Sequence, residues 1–584
     1  MALKENAELK ELVRKIALLN AVRHEGKAQI GPVMGTILGE KAEFRTRVKE
    51  MSALVNKVVR DVNALSKDEQ KRIIGEKWPE TLVKEKAEEE KHLPPLPNVE
   101  RYAQVVTRYS PNPDCVLHLG SARAIVLCYE YARMYRGRFI LRFEDTDPKL
   151  KKPVLEFYDR IREDLDWLEC GPDEEYIQSD RIPIYYEYAE KLVKDGNAYV
   201  CTCDPELFRK KILAGEPCEC RDCLPEEHLA RWQRMIDGRY KEGEAVLRIK
   251  TDLNHPNPAV RDWPAARIID TQKYPHARVG SKFKVWPLYN LACGVDDHLL
   301  GITHIIRGKE HLTNQVRQEF MYNHLSWTYP EAIHYGRLKI TGASLSKSKI
   351  VQGMKEGLYE DWDDPRLATF AALRRRGITA DAIKKMMMEV GPKTSDVTLS
   401  WENLYAINRK ILDPTTDRYF FVPDPIELTV KQIPKAFTTR LHLHPSHHER
   451  GFREYTITPS KDSGSASFWA SKRDVDTSKT ENVIRLMELF NVEIKDSNEY
   501  SAEALFAGEA YEEARRAKVQ LIQWIPVKQD MPCEVVMSDA TTIEGIAENA
   551  CKQLRPNDVV QFERFGFVRI DSMNTKLTVY FAHK

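Results

Sequence analysis

The spacing of apolar and polar residues divides the chain into three regions. In roughly the first 90 residues, apolar side chains recur every three or four positions along Leu9–Leu19 and Leu54–Val62, which predicts helices. From about residue 100, two β-prone runs, Gln104–Tyr109 and Phe139–Phe143, flank a helical run. Strands joined by a helix predict a parallel α/β layer. After about residue 400, short β-prone runs separated by turn residues predict β-barrels or a sandwich. These runs are Tyr419–Val422, Leu428–Val430, Tyr455–Ile457, Val535–Met537, Val559–Phe562 and Thr578–Phe581.

Glycine and proline mark the breaks in this pattern. The segments Gly26–Ala28 and Gly31–Gly35 separate the two helical runs, and we expect a loop there that leads into the start of a helix. The run Pro94–Pro97 contains three prolines, which cannot continue a helix. A domain boundary is therefore expected near residues 92–98.

Polar side chains gather where the two strands of the α/β layer end. In parallel sheets, ligands bind beyond the carboxyl ends of the strands. The residues at the first end are Arg108, Ser110, Asn112 and His118, and those at the second are Glu144, Asp145 and Asp147. We therefore expect a ligand site at this edge of the sheet.

The composition is that of a large globular chain. At about 150 residues per domain, 584 residues predict three to five domains. Lys plus Arg (89) and Asp plus Glu (88) nearly cancel, so the net charge neither supports nor excludes a nucleic-acid partner. The N-terminus is too charged for a signal peptide, and no apolar run reaches the length of a membrane span. We therefore expect a cytoplasmic chain without a membrane partner.

Five of the eleven cysteines lie close together, at positions 201, 203, 218, 220 and 223. Zinc takes four thiolate or imidazole ligands in a tetrahedron, and ligand pairs close in sequence are typical of its sites. We predict a structural zinc bound by Cys201, Cys203, Cys218 and Cys220. One of the last three cysteines is surplus, so Cys223 is an alternative ligand. A loop of reduced thiols is the alternative interpretation.

Five segments in the same order identify a family resemblance. They are TRYSPNPDCVLHLGSARA (107–124), LRFEDTDP (141–148), YNLACGVDDHLLGITHIIRGKEHL (289–312), SLSKSK (344–349) and YEDWDDPRLATFAALRRRGI (359–378). Together they resemble the class I aminoacyl-tRNA synthetases of the glutamyl/glutaminyl branch. The fifth segment and the β-rich C-terminal region resemble the archaeal/eukaryotic glutamyl type and the glutaminyl enzymes.

The resemblance implies a multidomain α/β and β architecture. It comprises an N-terminal helical domain and linker (1–95), a Rossmann-type catalytic domain (100–200 and 286–350) and an inserted domain that binds the tRNA acceptor stem (200–285). A helical connector (351–410) and a double β-barrel that binds the anticodon (411–584) follow. Some glutamyl enzymes and their relatives hold zinc in the inserted domain, with cysteine spacings that vary.

The resemblance also implies the chemistry. ATP, with Mg²⁺, would activate an amino acid as an adenylate, and the acyl group would then pass to tRNA. His118, at the start of a helix, and Lys347, in the SLSKS segment, would act on the phosphates. The implied ATP-binding residues are Asn112, Pro113, His118, Gly120, Ser121, Ser346, Lys347 and Ser348. Ser121 and Ser344 depart from the family pattern, which has His and Lys at these positions.

The implied amino-acid pocket contains Arg108, Asn112, Glu144, Tyr289 and Arg307. Glu144 would hold the α-ammonium group, and Arg108, Tyr289 and Arg307 would address carboxylates. Arg307 favours glutamate, because glutaminyl enzymes have a small neutral residue at this place. Two further features stay open: Asp296–Asp297 are either functional or structural, and Arg374–Arg376 either contact tRNA phosphates or form a solvated helix face.

The implied activity is therefore attachment of L-glutamate to tRNA(Glu). A glutaminyl enzyme and a non-catalytic RNA-binding scaffold are the alternatives, the first disfavoured by Arg307 and the second by the retained set of site residues. Nothing in these residues decides whether tRNA(Gln) is charged as well.

Overall fold

A computed structural model of the protein describes residues 7–23, 26–40, 48–78, 93–343, 346–477 and 483–584. They fall into two compact units, one within residues 1–91 and the other within 92–584. Within the described ranges, no helix is both long and apolar enough to cross a bilayer.

The N-terminal unit consists of helices, as the apolar periodicity predicts. They are α1 (Ala7–Arg23), α2 (Ile30–Glu40), α3 (Val48–Asn63) and α4 (Lys67–Lys77). A capping box between Ser66 and Glu69 starts α4. The expectation of a loop at Gly31–Gly35 is wrong, because these residues lie inside α2. Pro32 is the third residue of this helix, where a backbone N–H has no intrahelical partner to lose.

A parallel sheet forms the centre of the second unit. Its strands are β1 (Val106–Tyr109), β2 (Arg138–Phe143) and β3 (Glu174–Ile177), in the order β1-β2-β3, with the parallel pair β8 (His304–Gly308) and β9 (Glu331–Tyr335) next to them. Thr303, directly before β8, donates its N–H to Val106 O in β1 (3.0 Å). The helices around this sheet are α5 (Leu119–Met134), α6 (Leu155–Trp167), α7 (Ile182–Lys194), α10 (Tyr289–Leu299) and α11 (Leu312–His324). The carboxyl ends of β1, β2 and β8 consequently share one edge.

An antiparallel sheet interrupts this α/β layer; we call residues 198–287 the insertion. Its strands are β4 (Ala198–Cys201), β5 (Val246–Ile249), β6 (Pro264–Ile268) and β7 (Val285–Pro287), and its helices are α8 (Pro205–Ala214) and α9 (Pro225–Ile236). Trp232, Trp263 and Trp286 are almost fully buried in its core.

A helical connector follows the parallel sheet. Its elements are β10 (Leu338–Ile340), α12 (Lys347–Lys355), α13 (Phe370–Arg376), α14 (Ala380–Val390), β11 (Val397–Leu399) and α15 (Trp401–Leu412). The interpretation of Arg374–Arg376 as a solvated helix face is wrong for Arg376. This side chain is 2% exposed and donates from Nη2 to Ala582 O (2.9 Å) and to the Tyr405 hydroxyl (2.7 Å). It therefore joins the connector to the end of the chain.

The C-terminal region contains two seven-stranded sheets, which confirms the β-rich prediction. One sheet has the order β12-β25-β26-β27-β23-β24-β13: β12 (Arg418–Tyr419), β25 (Val559–Phe562), β26 (Gly566–Met573), β27 (Leu577–His583), β23 (Asp530–Val536), β24 (Thr542–Glu548) and β13 (Phe421–Pro423). The other has the order β21-β18-β19-β20-β14-β17-β22: β21 (Gln520–Ile522), β18 (Val483–Leu486), β19 (Asn491–Ser497), β20 (Ser501–Phe506), β14 (Pro425–Lys431), β17 (Ala466–Ser471) and β22 (Ile525–Pro526). The hairpin β15 (Phe437–His442) and β16 (Phe452–Ile457) and the helices α16 (Lys472–Thr477) and α17 (Tyr511–Arg516) complete this region.

Candidate active site

The side chains expected at the strand ends come together at one edge of the parallel sheet. Arg108 lies in β1, Glu144 directly follows β2 and Arg307 lies in β8. The register pairs Arg108 with Ile140, so β1 and β2 reach this edge side by side. The site is thus built on three neighbouring strands of a rigid sheet.

A buried ion network lies beneath this edge. Arg108 donates from Nε to Asp297 Oδ1 (3.0 Å) and from Nη2 to Asp297 Oδ2 (3.2 Å). Arg142 donates from Nη1 to the same Oδ1 (2.7 Å). Burial alone would raise the pKa of Asp297, but the two guanidinium groups outweigh it and hold that pKa below its ordinary value. Of the two open possibilities for Asp297, the structure favours an electrostatic role inside the site.

Arg142 also fixes Glu144. Its Nη2 donates to Glu144 Oε1 (2.9 Å) and to Cys293 Sγ (3.2 Å). The Arg142 side chain is fully buried, whereas that of Glu144 is 14% exposed. Glu144 therefore has one carboxylate edge tied to the network and can meet a ligand with the other. The sequence analysis missed Arg142, although a charged residue inside the apolar strand FILRF was a usable signal.

Asp296 belongs to the same network on its other side. Its carboxylate accepts hydrogen bonds from Arg181 Nε (2.8 Å), the Tyr185 hydroxyl (2.7 Å) and Gln178 Nε2 (3.2 Å). These contacts join α7 to α10, so Asp296 has a structural role.

Arg307 differs from the other buried arginines of the site in having only neutral partners. Its Nη2 donates to the Tyr329 hydroxyl (2.9 Å) and to Gln318 Oε1 (3.3 Å), and its Nη1 lies 3.4 Å from the Tyr289 hydroxyl. Its Nε lies 3.5 Å from His334 Nε2. Arg307 is 5% exposed, and no carboxylate of the described residues forms an ion pair with it. A buried cation with neutral neighbours is suited to an anionic ligand.

Two imidazoles flank this region without adding charge. Burial, together with the nearby positive charge of Arg307, lowers the pKa of His311 to about 4. Burial likewise lowers the pKa of His334 to about 4. Both rings are therefore neutral at pH 7, and the positive charge of the pocket comes from its arginines.

His118 is placed for phosphate chemistry by the start of α5. It is the N-cap residue of this helix, and its Nδ1 accepts a hydrogen bond from Gly120 N–H (3.0 Å). Burial lowers the pKa of His118, so the neutral ring carries its proton on Nε2. An Nε2–H donor and the positive end of a helix together suit a phosphate group.

Lys347, the lysine of the SLSKS segment, lies next to the loop that leads to His118. Lys347 is the first residue of α12, and its Nζ is 2.6 Å from Asp114 Oδ2, in the loop that leads to His118. Ser344 and Leu345 lie outside the described residues. The structure thus brings the ammonium group and the His118 loop together.

The remaining expected ATP residues lie in or near the same loop. Asn112 Oδ1 is buried without a hydrogen-bond partner, which leaves an acceptor available to a ligand. Pro113 is buried and its carbonyl oxygen accepts from Val154 N–H (2.9 Å). Ser121 lies beside the Tyr109 hydroxyl, and the hydroxyls of Ser346 and Ser348 lie 3.1 Å apart.

Four of the five clustered cysteines form two close pairs in the insertion. Cys201 and Cys218 have their Sγ atoms 3.9 Å apart, and Cys203 and Cys220 have theirs 3.6 Å apart. Tetrahedral zinc with Zn–S bonds of about 2.3 Å needs sulfurs about 3.8 Å apart, which these pairs match. Cys223 instead contacts Glu219 O (3.7 Å) and Arg231 Nη2 (4.0 Å).

Family models match three consecutive stretches of this chain. The family model described as tRNA synthetases class I (E and Q), catalytic domain, matches residues 104–414. Models of the anti-codon binding domain of the same class match residues 416–506 and 521–571.

Curated relatives span almost the whole chain. A glutamate–tRNA ligase of Pyrococcus furiosus is 50% identical over 584 residues, covering 99% of this chain and 100% of the relative. One of Thermococcus kodakarensis is 52% identical over 583 residues, with 99% and 100% coverage. Among solved structures, a glutamate tRNA ligase from Elizabethkingia meningosepticum matches with 22% identity and a TM-score of 0.37, over 54% of this chain and 70% of that chain. On the family match and the full-length relatives, the chain belongs to the class I tRNA synthetases for glutamate and glutamine (E and Q).

Proposed function

We propose that this chain is a ligase that attaches L-glutamate to tRNA(Glu) in two steps. In the first, a glutamate carboxylate oxygen bonds to the α-phosphorus of ATP and pyrophosphate leaves, giving glutamyl-adenylate. In the second, a hydroxyl of the tRNA acceptor end takes the acyl group and AMP leaves. Family membership and the full-length glutamate–tRNA ligase relatives support this activity.

The observation that carries the choice of amino acid is the environment of Arg307. A glutamate carboxylate would supply the anion that this buried guanidinium lacks. Glutamine would leave the charge unpaired, which costs several kcal/mol, on the order of 3–5. The glutaminyl alternative is therefore disfavoured.

Glu144 and Arg108 complete the glutamate pocket in this proposal. The free edge of the Glu144 carboxylate binds the α-ammonium group. Arg108 uses two of its nitrogens on Asp297, and its remaining Nη1 addresses a substrate carboxylate together with the Tyr289 hydroxyl. Asp297 and Arg142 thus keep both groups oriented before substrate arrives, and such preorganisation lowers the barrier.

His118 and Lys347 stabilise the developing charge on the phosphates. The Nε2–H of neutral His118 and the N-terminus of α5 donate to phosphate oxygens. Lys347 pairs with Asp114, and its ammonium group would exchange this carboxylate for phosphate oxygens when ATP, accompanied by Mg²⁺, binds. Asn112, Pro113, Gly120, Ser121, Ser346 and Ser348 complete the proposed ATP site.

We further propose that Cys201, Cys203, Cys218 and Cys220 hold a structural zinc. The sulfurs of Cys201, Cys203 and Cys218 all lie within 4.8 Å of one another, and Cys220 Sγ lies 3.6 Å from Cys203 Sγ, whereas Cys223 contacts Glu219 O. Bound zinc would crosslink β4 to the segment that follows α8.

The tRNA would contact several regions of the chain. We propose that the insertion binds the acceptor stem, the connector contacts the tRNA next to it, and the C-terminal sheets read the anticodon. The names of the relatives give no support to tRNA(Gln) as a second acceptor.

Amino-acid-dependent exchange of pyrophosphate into ATP, measured with tRNA present, tests the proposal. We expect exchange with L-glutamate and, at equal concentration, at most about one-hundredth of that rate with L-glutamine. Exchange that depends on glutamine would assign the chain to the glutaminyl alternative. The absence of exchange with either amino acid would favour the scaffold.

A further inference from the structure

The segment that follows β2 is held by the insertion at three places. We call residues 144–149 the Glu144 segment. The Asp145 carbonyl oxygen lies 2.8 Å from His276 Nε2, Asp147 Oδ2 accepts from Arg267 Nη2 (2.9 Å), and Lys149 pairs with Glu242. His276, Arg267 and Glu242 all belong to the insertion. The position of the Glu144 segment therefore depends on the insertion as well as on β2, which it follows.

His276 is the most buried of the three contacts and has a defined tautomer. Its Nδ1 accepts hydrogen bonds from Arg278 N–H (3.1 Å) and Val279 N–H (3.3 Å). The proton of the neutral ring is therefore on Nε2, which donates to the Asp145 carbonyl oxygen. The ring also stacks on Trp286, with centroids 5.1 Å apart. Both ring nitrogens of His276 thus have hydrogen-bond partners, which fixes the orientation of the ring.

Asp145 is fixed on its other side by a helix residue, Tyr158 of α6, and by Ser179, which follows β3. Its buried carboxylate accepts from the Tyr158 hydroxyl (2.6 Å) and from the N–H (2.7 Å) and hydroxyl (2.6 Å) of Ser179. Asp145 is thus held between the insertion on one side and α6 and the turn after β3 on the other. Glu144 precedes it directly, so these contacts determine where the Glu144 backbone lies.

On the carboxylate side of the pocket, no hydrogen bond among the described residues links Arg307 to the insertion. The partners of Arg307 are Tyr289, Gln318, Tyr329 and His334, all outside the insertion. A shift of the Glu144 segment would consequently move the group that binds ammonium and leave the group that binds carboxylate in place.

We propose that His276, supported by Arg267, is a positioning residue for the α-ammonium group of the substrate. Through the Asp145 carbonyl it sets the position of the Glu144 carboxylate, so the insertion participates in amino-acid binding. This inference rests on the proposed function, in which Glu144 binds the ammonium group of glutamate.

Glutarate provides a selective probe, because it has both carboxylates of glutamate and no ammonium group. The assay is tRNA-supported pyrophosphate exchange, which gives the KM for L-glutamate and the inhibition constant of glutarate. His276→Phe keeps the stacking on Trp286 but removes the donor to Asp145. We expect its KM for glutamate to rise about tenfold while inhibition by glutarate changes by less than about twofold.

Two further variants keep the test valid if His276→Phe folds poorly. Arg267→Met breaks the partly exposed contact with Asp147 and is expected to raise the KM for glutamate about threefold, again without an effect on glutarate. Arg261→Met is the matched control, since the hydrogen bonds of this arginine to described residues all stay within the insertion, to His255 O and Ile212 O (both 2.8 Å) and to Leu213 O (3.1 Å). It should leave both constants unchanged.

Glu144→Gln separates failure of this inference from failure of the proposed function. If Glu144→Gln weakens glutamate but not glutarate, while His276→Phe and Arg267→Met affect neither or both equally, positioning by the insertion is overturned. In the other case, Glu144→Gln itself leaves the preference for glutamate over glutarate unchanged. The assignment of Glu144 to the ammonium group is then wrong.

Discussion

Replacing Arg307 by glutamine removes the one charge of the pocket that the described residues leave without a carboxylate partner. The Arg307→Gln variant retains polar atoms that can bond to Tyr329 and Gln318. A bound glutamate carboxylate would then be buried without its cation. We therefore expect a selective loss of activity with glutamate.

The burial of Arg307 sets the size of this loss. Its side chain is 5% exposed, so solvent cannot replace the lost guanidinium. Removing one partner of a buried charge pair costs about 3–5 kcal/mol. At about 1.36 kcal/mol per tenfold change in rate, kcat/KM for glutamate should fall by about two to nearly four powers of ten.

Steady-state pyrophosphate exchange with varied glutamate and varied ATP measures this loss. The KM for ATP should stay within about threefold of wild type, because Arg307 lies in the amino-acid pocket. Arg307→Lys keeps the charge and should lose less activity than Arg307→Gln. Arg376→Gln controls for the general cost of deleting a buried arginine. If kcat/KM for glutamate fell by less than tenfold in Arg307→Gln, or if the KM for ATP changed as much as the KM for glutamate, the role of Arg307 would be refuted.

Three other predictions concern the lysine, the cysteines and a buried aspartate. Lys347→Ala should lower kcat for exchange by about 10²–10³ with little effect on the KM for glutamate; an unchanged kcat would contradict its role. Metal analysis should find one zinc per chain in chelator-free protein, lost in Cys220→Ser and retained in Cys223→Ser, and zinc-free wild type would exclude the site. Burial raises the pKa of Asp164 in the folded protein to about 7, whereas in the unfolded chain it is about 4. Protonation of Asp164 therefore stabilises the folded state relative to high pH, and this stabilisation is complete below about pH 4. This contribution, about 4 kcal/mol, is lost as pH rises through 7. Asp164→Asn should therefore unfold at higher denaturant concentration than wild type at pH 8 but not at pH 4, and equal midpoints at pH 8 would contradict the shift.

Features set by local chemistry could be predicted from the sequence. A proline-rich loop followed by helical periodicity indicated that a helix starts at His118, and the structure places its N-cap there. Apolar strands joined by a helix indicated the parallel pair β1 and β2. Gly31–Gly35 misled because glycine favours loops locally, whereas burial of Val33 and Ile37 against the neighbouring helices holds the segment in a helix.

Features that depend on distant partners could not be predicted. Asp297 neutralises Arg108, which lies 189 residues earlier, and no local pattern indicates such a pair. Arg376 lies in a run of three arginines that looks solvated, but its backbone acceptor, Ala582, comes from the end of the chain. Periodicity reports which face of an element is apolar and says nothing about which element will cover a charged side chain.

Aminoacylation of purified tRNA(Glu) with radiolabelled glutamate or glutamine tests the central claim most directly. The account predicts that glutamate is incorporated into tRNA and that glutamine is not, because only glutamate supplies the anion that Arg307 lacks. Incorporation of glutamine would contradict the account and transfer the assignment to the glutaminyl branch. Failure to incorporate either amino acid, in protein shown to be folded, would contradict catalysis itself.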